Sequence, residues 1–309
     1  MIETIQHDGL KWLHISNPTE EDYRYLLETY NFHALDIEDC RGTNQRPKID
    51  EYDDYYFMIL HFPYFDKGNK FIRIKEVKIF WGRDYVITIG KSHWIVKRFF
   101  DSISEELEKN KELELANILK SSDLLLYSLL DRLMVETYTL ILRIGAEVDL
   151  INYDIFNRKA QKIIELISIT RRNIILLNTT FKPQLRLFHQ FESGGIKGFV
   201  SSAEFDMEDY WGNILDKYQK MYDLVEDYGE LIEGLSKTFD SLQANKTNEI
   251  MRVLTYFSTI MLPLTVVTGL YGMNVQLPFQ TQNWAFWGVV AVMVIITGAL
   301  LVFFQRRLR

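Results

Sequence analysis

From Val253 to Gln305 the chain contains no Asp, Glu, Lys, Arg or His, although the 309-residue sequence carries a formal charge of −7. Within that run, Val253–Asn274 and Trp284–Phe304 each reach the roughly 20 residues that a helix needs to cross the hydrocarbon core of a bilayer. The stretch "LYGMNVQLPFQTQNW" (Leu270–Trp284) stops the first apolar run at Tyr271-Gly272-Met273-Asn274 and leads into the second. Two adjacent charge-free spans of this length predict a transmembrane hairpin. The alternative, a pair of buried core helices, is this apolar only over shorter runs.

The flanks predict the orientation. Lys246 and Arg252 precede the first span, Arg306, Arg307 and Arg309 follow the second, and the connecting loop has no basic residue. The positive-inside rule then puts both ends in the cytoplasm and the loop outside, in a multi-pass protein of the cell (inner) membrane. Trp284 and Trp287 suit the outer aromatic belt, and Tyr256 with Phe257 the inner one.

Composition narrows the function classes. Cys40 is the single cysteine, so one chain offers no internal disulfide, no CxxC pair and no thiolate zinc site. The start "MIETIQHDGLKW" lacks a basic segment followed by an apolar one, which predicts that the bulk of the chain stays in the cytosol. The acidic balance and the lack of a basic stripe speak against nucleic acid as a partner. His7, His14, His33, His61, His93 and His189 share no metal-ligand spacing on one helix face. The acids of "DIED" (Asp36–Asp39) and "DEYDD" (Asp50–Asp54) have no partner motif, and no phosphate loop or nucleophile elbow is present, so no enzyme and no bound cofactor are expected.

In the first span Asn248, Met251, Thr255, Ser258, Leu262, Thr265, Gly269 and Gly272 recur at steps of three and four. Only Met251 and Leu262 are bulky. Such a seam either packs helices closely or lines a water-filled axis when several copies surround it. Pro263 has no N–H for the Thr259 carbonyl, a local kink that membrane helices tolerate.

Upstream, the runs "LKWLHIS", "YYFMILHF", "FIRIKEVKIFW" and "YVITIG" read as strands. "TEEDYRYLLETYN", with Thr19 as its cap, and "WIVKRFFDSISEELEKN" read as helices. Arg46-Pro47-Lys48 reads as a turn entering a strand, and breaks are expected at Lys182-Pro183 and around Gly194-Gly195 and Gly198. The organisation is then an α+β cytoplasmic domain (1–120), a long helical pair (121–200) and a stalk helix (201–252). These lead into a first membrane helix (253–274), an external loop (275–283), a second membrane helix (284–305) and a basic tail (306–309).

In the stalk, Trp211, Ile214, Tyr218, Met221, Val225, Tyr228, Ile232, Leu235, Phe239 and Leu242 form an apolar seam. Opposite it run Asp209, Asp216, Asp223 and Glu230 at seven-residue spacing, with Asp206 and Asp227 nearby and Lys237 at the next step. This acidic stripe reads either as a solvated face or as a funnel wall that gathers cations.

"NKTNEIMRVLTYFSTIMLPLTVVTGLYGMN" (Asn245–Asn274) resembles the CorA superfamily of divalent-cation channels and transporters, and "LDIEDCRGTNQRPKIDEYDDYYFMIL" (Leu35–Leu60) is similar to that family's N-terminal signature. The resemblance covers essentially the whole chain. It implies a funnel-shaped homopentamer in which the stalk helix runs into the first membrane helix and five copies line one pore. It also implies an outer ion-binding ring at Asn274, supported by Gly272 and Met273. Leu262 and Met251 would be hydrophobic constrictions, with Thr265 a polar ring and Asn248 at the cytoplasmic mouth.

The resemblance makes Mg²⁺ the expected ion, with Co²⁺ or Ni²⁺ also carried and cytosolic metal as feedback. One departure bears on ion identity. The family's Mg²⁺ carriers commonly have an acid in the loop, within Met-Pro-Glu-Leu, whereas "VQLPFQTQN" keeps Pro278 and has no carboxylate. The rival within the superfamily is a Zn²⁺ transporter of the ZntB type with proton coupling, against which the lack of a titratable residue in the span argues. The rival from another class is a membrane-anchored oligomeric sensor or binding protein.

Overall fold

The computed structural model describes residues 2–66, 68, 70–90, 93–108, 118–156, 160–199, 207–275 and 282–307. It divides into two units, Met1–Ser236 and Lys237–Arg309.

In the first unit, strands β1 (Ile2–His7), β2 (Leu10–Ile15), β3 (Lys48–Glu51), β4 (Tyr55–Asp66), β5 (Phe71–Gly82) and β6 (Tyr85–Ile89) form one sheet in the order β1-β2-β6-β5-β4-β3. All neighbours are antiparallel except β2 and β6, which pair in parallel from Lys11↔Tyr85 to Ile15↔Ile89. The β1–β2 hairpin closes through Asp8-Gly9. Both have positive φ (45° and 87°), as a two-residue turn matched to strand twist demands.

Alternation along β4 sorts the core into two layers. Tyr55, Phe57 and Ile59 face a cluster with Leu13, Ile15, Phe80 and Ile87 under helices α1 (Glu20–Tyr30) and α2 (Ala34–Arg41). Thr19 caps α1 as expected, in a reciprocal box with Asp22. Helix α2 ends on the buried Lys78, whose Nζ donates to the carbonyls of Asp39, Cys40 and Gly42 at 2.9, 3.3 and 2.6 Å. A cation there satisfies carbonyls that the helix itself leaves open.

On the other face lie α3 (Trp94–Glu108), α4 (Ser122–Asp154), α5 (Ala160–Glu192) and the first part of α6 (Met207–Tyr271). Trp12 packs on Phe99 and Phe100 of α3, and Trp81 on Phe191 of α5 and Trp211 of α6. Gln184 of α5 brackets the backbone of His61 (2.6 and 2.9 Å) and donates to Tyr218 Oη at 3.1 Å. The buried Asp123 accepts from Phe199 N–H at 2.9 Å, and a Cβ on Gly198 (φ +68°) would sit 2.6 Å from that carboxylate, which accounts for the glycine.

The expected break at Lys182-Pro183 does not occur, because α5 runs through Pro183 to Glu192. Pro183 and Thr179, whose carbonyl loses its partner, are both on the exposed side, where water replaces the missing N–H. Buried Phe181, Gln184, Phe188 and Phe191 hold the helix on either side of the proline.

The second unit contains the rest of α6 and helix α7 (Asn283–Arg307). Both helices are long and apolar enough to cross a membrane.

Candidate functional site

From Met251 to the end of α6 the partly shielded residues are Tyr256, Ile260, Pro263, Leu264 and Val267, one face of the helix. The partly shielded residues of α7, among them Ala285, Val289, Met293, Ile296, Leu300 and Phe304, also recur at three and four. The rings of Tyr256 and Phe304 meet with centroids 4.4 Å apart, so at that level these two stripes face each other.

Met251, Thr255, Ser258, Leu262, Thr265, Gly269 and Gly272 are all exposed, Leu262 at 68%. At 3.6 residues per turn they lie about half a turn from the α7-facing stripe. The small and polar seam is therefore the side of α6 that its own hairpin partner leaves bare. Leu254, which the heptad spacing passes over, is 57% exposed beside Thr255 on the same face. Asn248 is exposed one turn before Met251.

The threonine hydroxyls of the seam are committed. Thr255 Oγ1 donates to the Met251 carbonyl at 2.8 Å and Thr265 Oγ1 to the Met261 carbonyl at 2.9 Å. At the end of the helix Gly272 N–H bonds the Thr268 carbonyl (2.9 Å) and Met273 N–H the Leu270 carbonyl (3.3 Å). A Cβ on Gly272 would press to 3.1 Å on that same Thr268 oxygen. Met273 and Asn274 follow in an exposed bend, and residues 276–281 of the loop, Pro278 included, lie outside the described residues.

In the first unit Asp209, Asp216, Asp223 and Glu230 are all exposed, while Trp211, Ile214, Tyr218, Met221, Val225 and Ile232 of the opposite seam are buried. Asp223 accepts from Gln219 Nε2 at 2.7 Å. Lys237 is exposed in the second unit, and Asp206 lies outside the described residues.

Among the described residues no three His, Cys, Asp or Glu side chains come together as a metal would require. Of the acids that could have suggested acid–base chemistry, Asp36 and Asp39 have structural partners. Asp36 accepts from Tyr52 Oη (3.1 Å) and Tyr55 Oη (2.9 Å), and burial raises its pKa. Asp39 pairs with Lys48 at 2.7 Å. His14, His61 and His93 are all pushed below the ordinary histidine pKa by burial, His93 to about 4.

The family model described as "CorA-like Mg2+ transporter protein" matches residues 7–306. The chain is 27% identical over 298 residues to the cobalt/magnesium transport protein CorA of Thermotoga maritima, covering 96% of this chain and 82% of that protein. Its fold matches the complete structure of the CorA magnesium transporter from Methanocaldococcus jannaschii with a TM-score of 0.79, at 20% identity and over 98% of this chain and 92% of that one. The cytoplasmic domain of ZntB from Vibrio parahaemolyticus matches with a TM-score of 0.61 at 14% identity, over 78% and 90% of the two chains. A mixed α/β domain, a long stalk helix and two apolar helices are thus the fold shared with CorA. With a family model matched from residue 7 to residue 306, the chain belongs to the CorA superfamily of divalent-cation transporters.

Proposed function

We propose that this chain forms a homopentameric channel for divalent cations, with Mg²⁺ as its principal ion, lined by α6 from Asn248 to Asn274. The observation that carries the reading is the bare polar seam: the side of α6 turned from α7 has small and hydroxyl side chains where lipid would favour bulky apolar ones. Membership of a transporter family and relatives named for cobalt and magnesium transport support the choice of cargo.

The physical chemistry is consistent with that role. Mg²⁺ gives up its water shell reluctantly. Amide oxygens of an Asn274 ring accept hydrogen bonds from that shell without stripping it, and neutral ligands bind weakly enough for release. Gly272 lets the chain turn tightly against its own helix end and presents Met273 and Asn274 at the mouth. Rings of Leu262 and Met251 close the path by dewetting, while Thr265 gives a hydrated ion a polar step between the Asn274 ring and Leu262. Asp209, Asp216, Asp223 and Glu230 concentrate cations on the cytosolic side, where metal bound between copies holds the pore shut. Both termini are cytoplasmic and movement is passive, driven by the membrane potential.

The loop favours a second reading. It has no carboxylate between Val275 and Asn283, so no charge ring concentrates cations at the outer mouth, and a Zn²⁺ carrier of the ZntB type is the alternative.

Uptake into proteoliposomes loaded with an ion-sensitive dye separates these readings, with Mg²⁺, Co²⁺ and Zn²⁺ in parallel for the native chain and Asn274→Ala. Mg²⁺ flux that is lost in Asn274→Ala is the expected result. Flux of Zn²⁺ alone selects the carrier, and no flux of any ion selects an anchored sensor.

A further inference from the structure

We propose that Lys237 forms a ring of positive charge at the cytosolic end of the ion path and acts as an electrostatic valve against the return of divalent cations. This role rests on the pore reading above and adds a residue to it. Within the second unit Lys237, Ala244, Met251, Ser258, Thr265 and Gly272 follow one another at seven-residue steps, and every one is exposed. Ser241 and Asn248, also exposed, lead in the same way to Thr255. A straight helix drifts about 20° per heptad, so over two heptads Lys237 stays within about 40° of Met251. On the far side of this stretch Phe239 is buried and Leu242 is partly shielded. The bare seam of α6 thus continues past Met251 as far as Lys237.

No other charge belongs to that seam. Before the charge-free run at Val253 the second unit carries Lys237, Asp240, Lys246, Glu249 and Arg252. Lys246 and Glu249 are on the other side of the helix, and Asp240 and Arg252, of opposite sign, lie about 80° to either side of the seam's midline. Among the described residues Lys237 has no ion pair within its own chain, whereas Lys217 pairs with Asp131 and Arg171 with Glu233. The acidic stripe ends one heptad earlier in the chain, at Glu230.

Copies arranged around one axis bring one ammonium each to the same level. Repulsion scales with the charge of the ion, so a divalent cation is opposed more strongly than a monovalent one. Positive charge at a mouth lowers the concentration of cations there, just as negative charge raises it. Ions from the outer mouth are driven through by the membrane potential, while returning ions start from the depleted side. The stripe from Asp209 to Glu230 then holds cytosolic metal for feedback, and Lys237 keeps that metal out of the path.

Currents in patches excised from cells expressing the full chain, with equal Mg²⁺ on both faces and little other salt, test the valve. The native chain should pass more inward than outward current at equal and opposite voltages. Lys237→Gln should lower that ratio at least about threefold, Lys237→Arg should keep it, and Lys246→Gln should leave it unchanged. Impermeant salt at about 0.1 M, which screens charge beyond about 10 Å, should lower the ratio in the native chain and not in Lys237→Gln. An unchanged ratio in Lys237→Gln, where Asn274→Ala abolishes the current, overturns the valve and leaves the pore. No current in the native chain, or a current that survives Asn274→Ala, removes the pore and the valve with it. Cross-linking needs no flux: Lys237→Cys should link to another copy more readily than Lys246→Cys, the native Cys40 being buried. The reverse order turns the other side of α6 to the axis and overturns the proposal.

Discussion

The two units use the same apolar residue types in opposite ways. Between Met1 and Ser236, Trp12, Trp81 and Tyr218 are fully buried by the chain's own fold, and buried polar groups such as Asp36 and Lys78 have protein partners. Between Lys237 and Arg309, Phe257, Leu262, Trp287 and Ile295 are 68–69% exposed. The first region needs water outside and itself inside. The second satisfies its backbone within each helix and leaves its side chains for a different solvent or for other copies. A sequence average cannot express this, because each half has the composition its surroundings require.

The largest test of that contrast moves one charge. Ile295→Arg puts a cation near the middle of α7, at a cost of about 2.5–3.5 kcal/mol to insertion, and carbonate extraction should find much of the variant outside the membrane. Leu35→Arg, at a leucine of the first unit that is also well exposed, should change stability by less than about 0.5 kcal/mol in chemical unfolding.

Acid is the next. No Asp, Glu, Lys, Arg or His lies between Val253 and Gln305, whereas His93 is buried in the first unit with Nε2 donating to the Pro63 carbonyl at 3.1 Å. Its folded pKa is near 4 against 6.5 unfolded, so the unfolded chain binds the proton more readily. Stability is full above about pH 6.5 and falls as pH drops toward 4, by up to about 3 kcal/mol. Tryptophan fluorescence of the full chain in detergent should follow this loss, and His93→Gln should reduce it.

The smallest effects come from two glycines. A Cβ on Gly145 would lie 2.3–2.4 Å from the end of the Tyr228 ring, so Gly145→Ala should cost about 1–3 kcal/mol, seen as a lower melting temperature. Gly269 has nothing within 4 Å of a Cβ, so Gly269→Ala should leave the chain's own stability nearly unchanged. Its effect should appear in flux or in oligomeric state, because only neighbours outside the chain can meet the added methyl.

Much of this architecture was legible because period and environment coincide. The stalk seam was readable since one face of α6 packs on a folded domain, and Trp211, Ile214, Tyr218, Met221, Val225 and Ile232 are indeed buried. The turn at Arg46-Pro47-Lys48 does enter a strand, β3. Strand β1 has little strand signal of its own although Asp8-Gly9 marks its hairpin, because its mostly polar side chains give little hydrophobic alternation. The parallel pairing of β2 with β6 brings together residues about 74 apart and has no local signature. The three-and-four spacing of the site was visible in α6, but the face that α7 covers was not. Helix α7 is apolar all round, and periodicity assigns no side to such a helix.

The threonines of α6 have one more consequence. A hydroxyl that has given its proton to its own helix can only accept from anything beside it. Water around a cation points hydrogens outward and finds acceptors on such a wall, whereas water around an anion points oxygens outward and finds no donor. A passage walled by Thr255 and Thr265 would therefore sort ions by the sign of their charge with no charged residue of its own, and would do so equally at any pH the protein survives.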